Sequence, residues 1–387
     1  MAPNTPIQLQ VARLRRRISH ALIRLTVGAT VRQAAGHLPT TGIHRIMVAH
    51  ISHTLGNSVL LTPLLQELER VYPGAEIDIV SRSPVATQLY GHYPCVSRIL
   101  CLPGSAFAHL PTLWRLWRQM RRTAYDLAID TDPQSQTGRL WLIGARARHS
   151  VGFCGPRKRL GLTHPVPVAE APLRKGQQGV YLLRQTLGPS ASTAPYPLPD
   201  IRLEEAELAR GRTMLAQVTA RHGGHGGIGL FANATGRKRL DRSWWQTMLQ
   251  HVPGPAQHGP LVEIVPASGQ SLLDDRYPAF YSTDLRRLAA VLAALDGLIT
   301  GDCGVMHLAC ASGVPVLVLF VDTRPEEWGP YGPLDAILQA QHDNPAKAAS
   351  SLAQILQSRV QQSPASEHTD PWPVRASAQM AISRGAS

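Results

Sequence analysis

Aromatic residues make up only 5% of this 387-residue chain, and that scarcity argues against a nucleic-acid surface, where clustered rings stack on bases. Cysteine is sparse too. Cys95, Cys101, Cys154, Cys303 and Cys310 form no Cys-x-x-Cys pair and no Cys/His metal spacing. This excludes a zinc ribbon and a secreted disulfide framework, and it suits a reducing, cytosolic setting. Long apolar runs are missing: a stretch such as 314–321 is far short of the roughly 20 residues that span a bilayer. No signal-peptide h-region lies near Met1. Acidic residues are absent before Glu67, whereas Arg13, Arg15, Arg16, Arg17, Arg24, Arg32 and Arg45 all precede it.

What is present is enough apolar material, 44%, to build real cores, and enough length for two domains or one large one. Lys plus Arg number 39 against 26 Asp plus Glu, a net charge of +13. The expected partners are therefore anionic: nucleic acid, a phospholipid surface or phosphorylated substrates. Between Gln8 and Leu25, apolar Leu14, Ile18, Ala21, Leu22 and Leu25 recur at helical steps among arginines. A basic amphipathic helix of this kind suits an anionic membrane surface. An ordinary solvated helix and an Arg-rich targeting segment compete with that reading.

From residue 41 onward, short β-branched runs alternate with helical patterns. Strands are expected over 43–51, 75–81, 97–102, 125–130 and 150–153, with helices over 58–72 and 112–122, the βαβ rhythm of a parallel, doubly wound sheet. Residues 163–200 lack sustained periodicity and read as a linker zone, narrowed to 171–200 when the domains are drawn. A second series follows: strands over 228–234, 261–265, 279–282, 297–300 and 314–320, and helices over 203–221, 242–251, 284–295 and 305–312. The division expected is a basic segment 1–40, a Rossmann-like domain 41–170, a linker 171–200, a second Rossmann-like domain 201–360 and a mobile tail 361–387. Ligands of such sheets bind beyond the strand carboxyl ends, so chemistry is sought in the loops that follow strands.

The most specific segment is Gly301-Asp302-Cys303-Gly304-Val305-Met306-His307-Leu308-Ala309. Its glycines allow a tight turn and bring bare N–H groups to the start of a helix, a natural seat for a diphosphate. His307 stands one turn in, within reach of a phosphate oxygen, and Asp302 would orient the loop or a ligand hydroxyl. The plainer reading is a strand–helix connection with Asp302 as N-cap and His307 half buried.

This run, with Gly313-Val314-Pro315 and Trp328-Gly329-Pro330-Tyr331-Gly332 after it, resembles the C-terminal signature of glycosyltransferase family 9, the heptosyltransferases of lipopolysaccharide core assembly. The family turn Asp-Ser/Thr-Gly-x-x-His-Leu-Ala is matched by Asp302, Cys303, Gly304, His307, Leu308 and Ala309, with Cys303 in place of the hydroxyl residue. A second likeness is Gly56-Asn57 through Pro63, similar to Gly-Asp-x-x-x-x-x-Pro, whose Asp the family uses as the base on the acceptor hydroxyl. Here Asn57 stands instead, and an amide cannot accept a proton. His53 in the same loop, and Asp130 or Asp132 after their strand, are the substitutes. Asn57 alternatively caps the following helix, and Pro63 either kinks that helix or marks its first turn. A third likeness is the strand 228–234 leading into Thr235-Gly236-Arg237-Lys238-Arg239, where Lys238 takes the place of the family's phosphate-binding lysine. A solvated basic loop is the alternative. The acid that serves the donor ribose in relatives has no counterpart in 265–270, and Glu263 lies within its strand.

The resemblance implies the α/β fold GT-B: two Rossmann-like domains facing a central cleft. It also implies metal-independent transfer of a heptose or related sugar from an ADP-activated donor to a lipopolysaccharide core or other lipid-linked acceptor. Donor binding falls to Lys238, Thr235, Asp302, Cys303, Gly304 and His307, and catalysis to Asn57, His53 and Asp132. No cofactor and no nucleic acid are implied. The expected partners are the nucleotide sugar, the lipid-linked oligosaccharide and an anionic membrane surface, and the expected location is cytoplasmic, peripheral to the inner membrane. A Rossmann oxidoreductase would need Gly-x-Gly-x-x-Gly after the first strand, where only Gly56 occurs. A binding protein of the same fold that has lost turnover is the closer rival, and Asn57 is its best argument.

Overall fold

The computed structural model describes residues 36–104, 109–155, 158, 161–222, 226–234, 236–252, 259–340 and 345–362. The basic segment read at 8–25 and the tail beyond 362 lie outside these residues. In the first lobe the order is β1 (Arg45–His50), α1 (Leu55–Val59), α2 (Thr62–Val71), β2 (Glu76–Ser81), α3 (Ala86–Tyr90), β3 (Val96–Cys101) and α4 (Leu110–Arg121). Next come β4 (Leu127–Asp130), α5 (Thr137–Ala145), β5 (His149–Cys154), β6 (His164–Pro167) and α6 (Lys175–Leu187). The second lobe opens with α7 (Glu205–Thr219), β7 (Ile228–Phe231), α8 (Arg242–Gln250), β8 (Leu261–Ile264), β9 (Ala279–Phe280), α9 (Leu285–Ala294) and β10 (Gly297–Gly301). It closes with α10 (Gly304–Ala311), β11 (Val316–Phe320), α11 (Pro325–Trp328), β12 (Ala336–Gln339) and α12 (Pro345–Gln362).

Each lobe carries one six-stranded sheet, ordered β3-β2-β1-β4-β5-β6 and β12-β11-β10-β7-β8-β9. All pairings between these strands are parallel. The central strands Ile46–Ala49 and Val316–Phe320 are buried throughout. Continuous apolar runs of this kind are what a sheet with helices on both faces requires. Both sheets have the same doubly wound order. Their crevices open where the order reverses, between β1 and β4 in one lobe and between β7 and β10 in the other.

Three departures from the sequence expectations have local causes. The helix expected over 58–72 is two helices, α1 and α2, because Pro63 lacks an N–H and takes the first turn of α2. The 163–200 stretch holds β6 and α6. The strand His-Pro-Val-Pro sits at the edge of the sheet, where proline costs no ladder bond, and so carries no strand-like sequence. Helix α6 buries Gly176, Val180, Leu182, Leu183 and Leu187, and its opening Lys-Gly-Gln-Gln-Gly run hides that periodicity in the sequence. β12, the edge strand of the second sheet, was likewise absent from the sequence reading.

The lobes are tied at two places. Arg286 on α9 donates to Glu207 Oε1 (2.6 Å), to the carbonyls of Ile201 (3.0 Å) and Arg202 (2.9 Å), and across to the Gln88 carbonyl of the first lobe (3.2 Å). The Gln88 side chain in turn accepts the Leu285 amide at 2.8 Å. The Arg286 hydrogen bonds hold the Glu207 carboxyl down to about 2. A buried charge so completely paired escapes the penalty of desolvation. On the other side, Arg174 donates to the Gly329 carbonyl (3.0 Å) and to that of Pro330, and the Tyr331 hydroxyl to the Pro197 carbonyl (2.8 Å).

Candidate active site

Four connections leave strand carboxyl ends at the two switch points, after β1, β4, β7 and β10. Every candidate residue falls on one of them or on the helix it opens: His53 and Asn57, Asp132, Lys238, and the group Asp302, Cys303, Gly304 and His307. Thr235 belongs to the third connection but lies outside the described residues.

In the second lobe, β10 ends at Gly301 and delivers the buried carboxylate of Asp302. Lys238 Nζ donates to Asp302 Oδ2 at 2.6 Å, and the Thr323 hydroxyl donates to the same oxygen. Asp302 is therefore not the helix cap. Cys303 holds that position, in extended backbone and with no side-chain cap bond. Its sulfur lies 3.4 Å from the Thr300 hydroxyl, and burial pushes the thiol up. The first amides of α10 are thus left unclaimed by a capping side chain, and the positive end of the helix is presented beside the Lys238 ammonium.

His307 follows one turn on. Burial lowers its imidazole to about 4, with Asp302 raising it and Lys238 lowering it by smaller amounts. At pH 7 the ring is neutral, so it offers a phosphate one N–H dipole and not a full charge.

In the first lobe the key residue is one the sequence reading missed. His50, the last residue of β1, points its two ring nitrogens at the Thr131 hydroxyl (2.9 Å) and the Asn57 carbonyl (2.9 Å). It therefore bridges the connections after β1 and β4. Burial lowers its pKa to about 4. The available signal was a histidine closing an otherwise apolar buried strand.

Asp132 accepts the Gln134 and Ser135 amides on Oδ1 (2.7 and 2.8 Å), which shapes its loop. No other bond to its side chain is seen among the described residues. Asp130 is unavailable as a base: Lys158 Nζ (2.7 Å) and Arg139 Nε (3.2 Å) both bind its Oδ2, and all three side chains are 0–1% exposed. His53 is exposed and makes no hydrogen bond among the described residues. Asn57 does not cap a helix. It lies inside α1, whose N-cap is Thr54, and its amide points to no partner among the described residues. Glu263 is turned into its own loop, accepting the Ser271 hydroxyl (2.6 Å) and the Leu272 amide (2.8 Å).

The N-termini of α1 and α10 meet across the lobes, and glycine makes the approach possible. A Cβ on Gly56 would lie 2.6 Å from His307 Cδ2, and one on Gly304 would lie 2.9 Å from Leu55 Cβ. Gly56→Ala is therefore expected to force His307 and the α10 tip away by several tenths of an ångström. Turnover should fall about 10- to 100-fold with the melting temperature little changed, read by steady-state kinetics beside a thermal melt.

The same burial predicts the acid response. His50 and His307 sit near 4 when folded against an ordinary 6.5. The unfolded chain thus takes up protons that the native one refuses. Their contribution to stability is complete above pH 6.5 and is lost as pH falls from 6.5 to about 4. Urea midpoints should drop across that window, and His50→Gln should flatten part of the slope.

Residues 281–355 match the model of glycosyltransferase family 9 (heptosyltransferase). The chain is 26% identical over 302 residues to lipopolysaccharide heptosyltransferase 1 of Pseudomonas aeruginosa, covering 74% of this chain and 81% of that one. Its fold is similar to that of a family 9 glycosyl transferase from Veillonella parvula, with a TM-score of 0.70 at 16% identity over 83% of this chain and 99% of that one. It is also similar to E. coli ADP-heptose lipopolysaccharide heptosyltransferase II, with a TM-score of 0.64 at 17% identity over 82% and 99%. The GT-B fold is common to them, and the segment that matches the family model carries Asp302, Gly304 and His307. The chain is thus similar to the heptosyltransferases of glycosyltransferase family 9 in fold and in the segment 281–355.

Proposed function

We propose that this protein transfers a heptose or related sugar from an ADP-activated donor to a lipopolysaccharide core or another lipid-linked acceptor at the cytoplasmic face of the inner membrane. The second lobe takes the donor and the first takes the acceptor. One observation carries the reading: Lys238, Asp302 and the uncapped amides of α10 converge where the second sheet reverses its order. An acceptor hydroxyl oxygen attacks the anomeric carbon, the bond from that carbon to the β-phosphate oxygen breaks, and ADP leaves. Lys238 and the α10 amides meet the charge that grows on the departing diphosphate, and neutral His307 adds a hydrogen bond. This arrangement asks for no metal or cofactor. Thr235, on the same connection as Lys238, is assigned to the donor on the family resemblance, as is the backbone of Cys303 and Gly304.

The proton of the acceptor hydroxyl goes to a group of the first lobe. Asp132 has an oxygen to spare, His53 stands exposed in the β1 connection, and Asn57 positions the hydroxyl through its amide. A second reading, a nucleotide-sugar or glycan-binding protein with impaired turnover, is favoured by Asn57 alone. ADP release from ADP-heptose, with and without lipid acceptor, separates the two. The wild type is expected to release ADP in an acceptor-dependent way, with Asp132→Asn slower by about 10²-fold. If only Asn57→Asp releases ADP, the second reading stands.

No helix among the described residues is long and apolar enough to cross a membrane. The peripheral placement rests on the basic charge of the chain and on the lipid-linked acceptor.

A further inference from the structure

Helix α4 has one buried edge. Leu113, Leu116, Trp117 and Met120 face the sheet, with Trp117 set edge-on to Trp141 at 5.4 Å between ring centroids. The opposite face is not the polar surface such a helix normally shows. Leu110 and Trp114 are 59% and 62% exposed, two of the five large apolar side chains so exposed among the described residues. Arg115, Arg118, Arg121 and Arg122 are exposed around them. The Arg118 guanidinium lies over the Trp114 ring at 5.2 Å, and none of the four forms an ion pair among the described residues. No acidic residue occurs between Asp78 and Asp126, so the sequence around α4 offers these arginines no counter-charge.

We infer that α4 is the surface by which this protein docks on an anionic phospholipid bilayer. The inference rests on the lipid-linked acceptor proposed above. An indole and a leucine flanked by unpaired arginines match the interfacial region of a membrane, where the ring takes the boundary between acyl chain and headgroup while the guanidinium groups meet phosphates. Charge selects the occupant. A second copy of this chain would bring arginine against arginine, whereas anionic lipid is complementary. The direction of the helix adds a reason. As the helix returning from β3 to β4, α4 begins at the carboxyl-end side of the first sheet, the side on which the connections after β1 and β4 lie. Leu110 and Trp114 occupy its first two turns. A protein resting on that end presents its acceptor lobe to a sugar rooted in the same bilayer.

The test uses the full chain and sucrose-loaded vesicles of phosphatidylcholine, pure or with about a quarter phosphatidylglycerol. Wild type should sediment with the anionic vesicles and release them at high salt. Replacing Arg115, Arg118, Arg121 and Arg122 together by Gln should lower partitioning about 10²–10³-fold, at roughly fivefold per charge. Leu110→Ser with Trp114→Ser should lower it further at fixed charge. Arg210→Gln with Arg221→Gln, on the second lobe, is the charge control and should change it little. Equal partitioning of wild type and the quadruple variant overturns the inference. So does a Trp114 variant that merely splits a dimer in sedimentation velocity while vesicle binding is unmoved. With detergent-dispersed acceptor the quadruple variant should release ADP at the wild-type rate. Vesicle binding through α4 without any donor turnover would remove the proposed reaction and leave the docking face intact. Turnover with vesicles indifferent to α4 would do the reverse.

Discussion

Lys238→Ala should lower kcat for ADP release about 10²–10³-fold, the loss typical of deleting one preorganised donor to a developing anion. KM for the donor should rise less, because the charge on the departing diphosphate is greatest in the transition state. Two effects combine. The ammonium is withdrawn from the diphosphate, and the buried Asp302 carboxylate keeps only the Thr323 hydroxyl of its two side-chain partners. The second effect is separable. Lys238→Ala paired with Asp302→Asn removes the uncompensated charge, so any activity the pair regains over Lys238→Ala measures the repulsion between that carboxylate and the donor. Lys238→Arg keeps the charge but replaces a compact ammonium by a planar fork, and should retain part of the rate. Unchanged kcat in Lys238→Ala would remove the lysine from the chemistry.

Asp130→Ala is the second large effect, and it concerns stability. Two cations, Arg139 and Lys158, share this one carboxylate in the interior of the first lobe. Arg139 also donates to the Phe153 carbonyl at 2.9 Å, and Lys158 to that of Asp132. Burial lifts the Asp130 carboxyl and lowers the Lys158 ammonium and the Arg139 guanidinium. With two cations competing for one anion, the ammonium is the group that yields its proton first. Removing Asp130 leaves two buried cations with no counter-charge, which costs about 3–5 kcal/mol. Chemical denaturation should show that loss, and Asp130→Asn a similar one. Lys158→Met, which leaves a one-to-one pair, should cost distinctly less. Because Lys158 holds the Asp132 carbonyl, it should also disturb the loop after β4 and slow turnover.

Most of the site was legible because it is written in loop chemistry. Glycines at 301 and 304 next to Asp302 and His307 announce a strand turning into a helix whose tip is the proposed seat of the donor diphosphate. A lysine after the first strand of the second lobe announces its counterpart. The ten strands expected from the sequence all exist, because each is a compact run of β-branched and apolar residues. What escaped was written in tertiary terms. β6 reads as loop because prolines occupy an edge strand, and α6 because it opens on Lys-Gly-Gln-Gln-Gly, whose glycines are packing positions against Tyr331 and Leu64. His50 looks like a core histidine until β4 brings Thr131 beside it. The choice between Asp130 and Asp132 needed the distant Arg139 and Lys158, and the assignment of Asp302 as a cap failed because Lys238 claims its carboxylate.

The meeting of Gly56 with His307 has a kinetic consequence. Where two backbone tips are already in van der Waals contact there is no vacancy for a third body, so reactants reach this point only when the lobes swing apart. An opening and a shutting of the lobes is therefore expected in each cycle, and kcat should fall as solvent viscosity is raised.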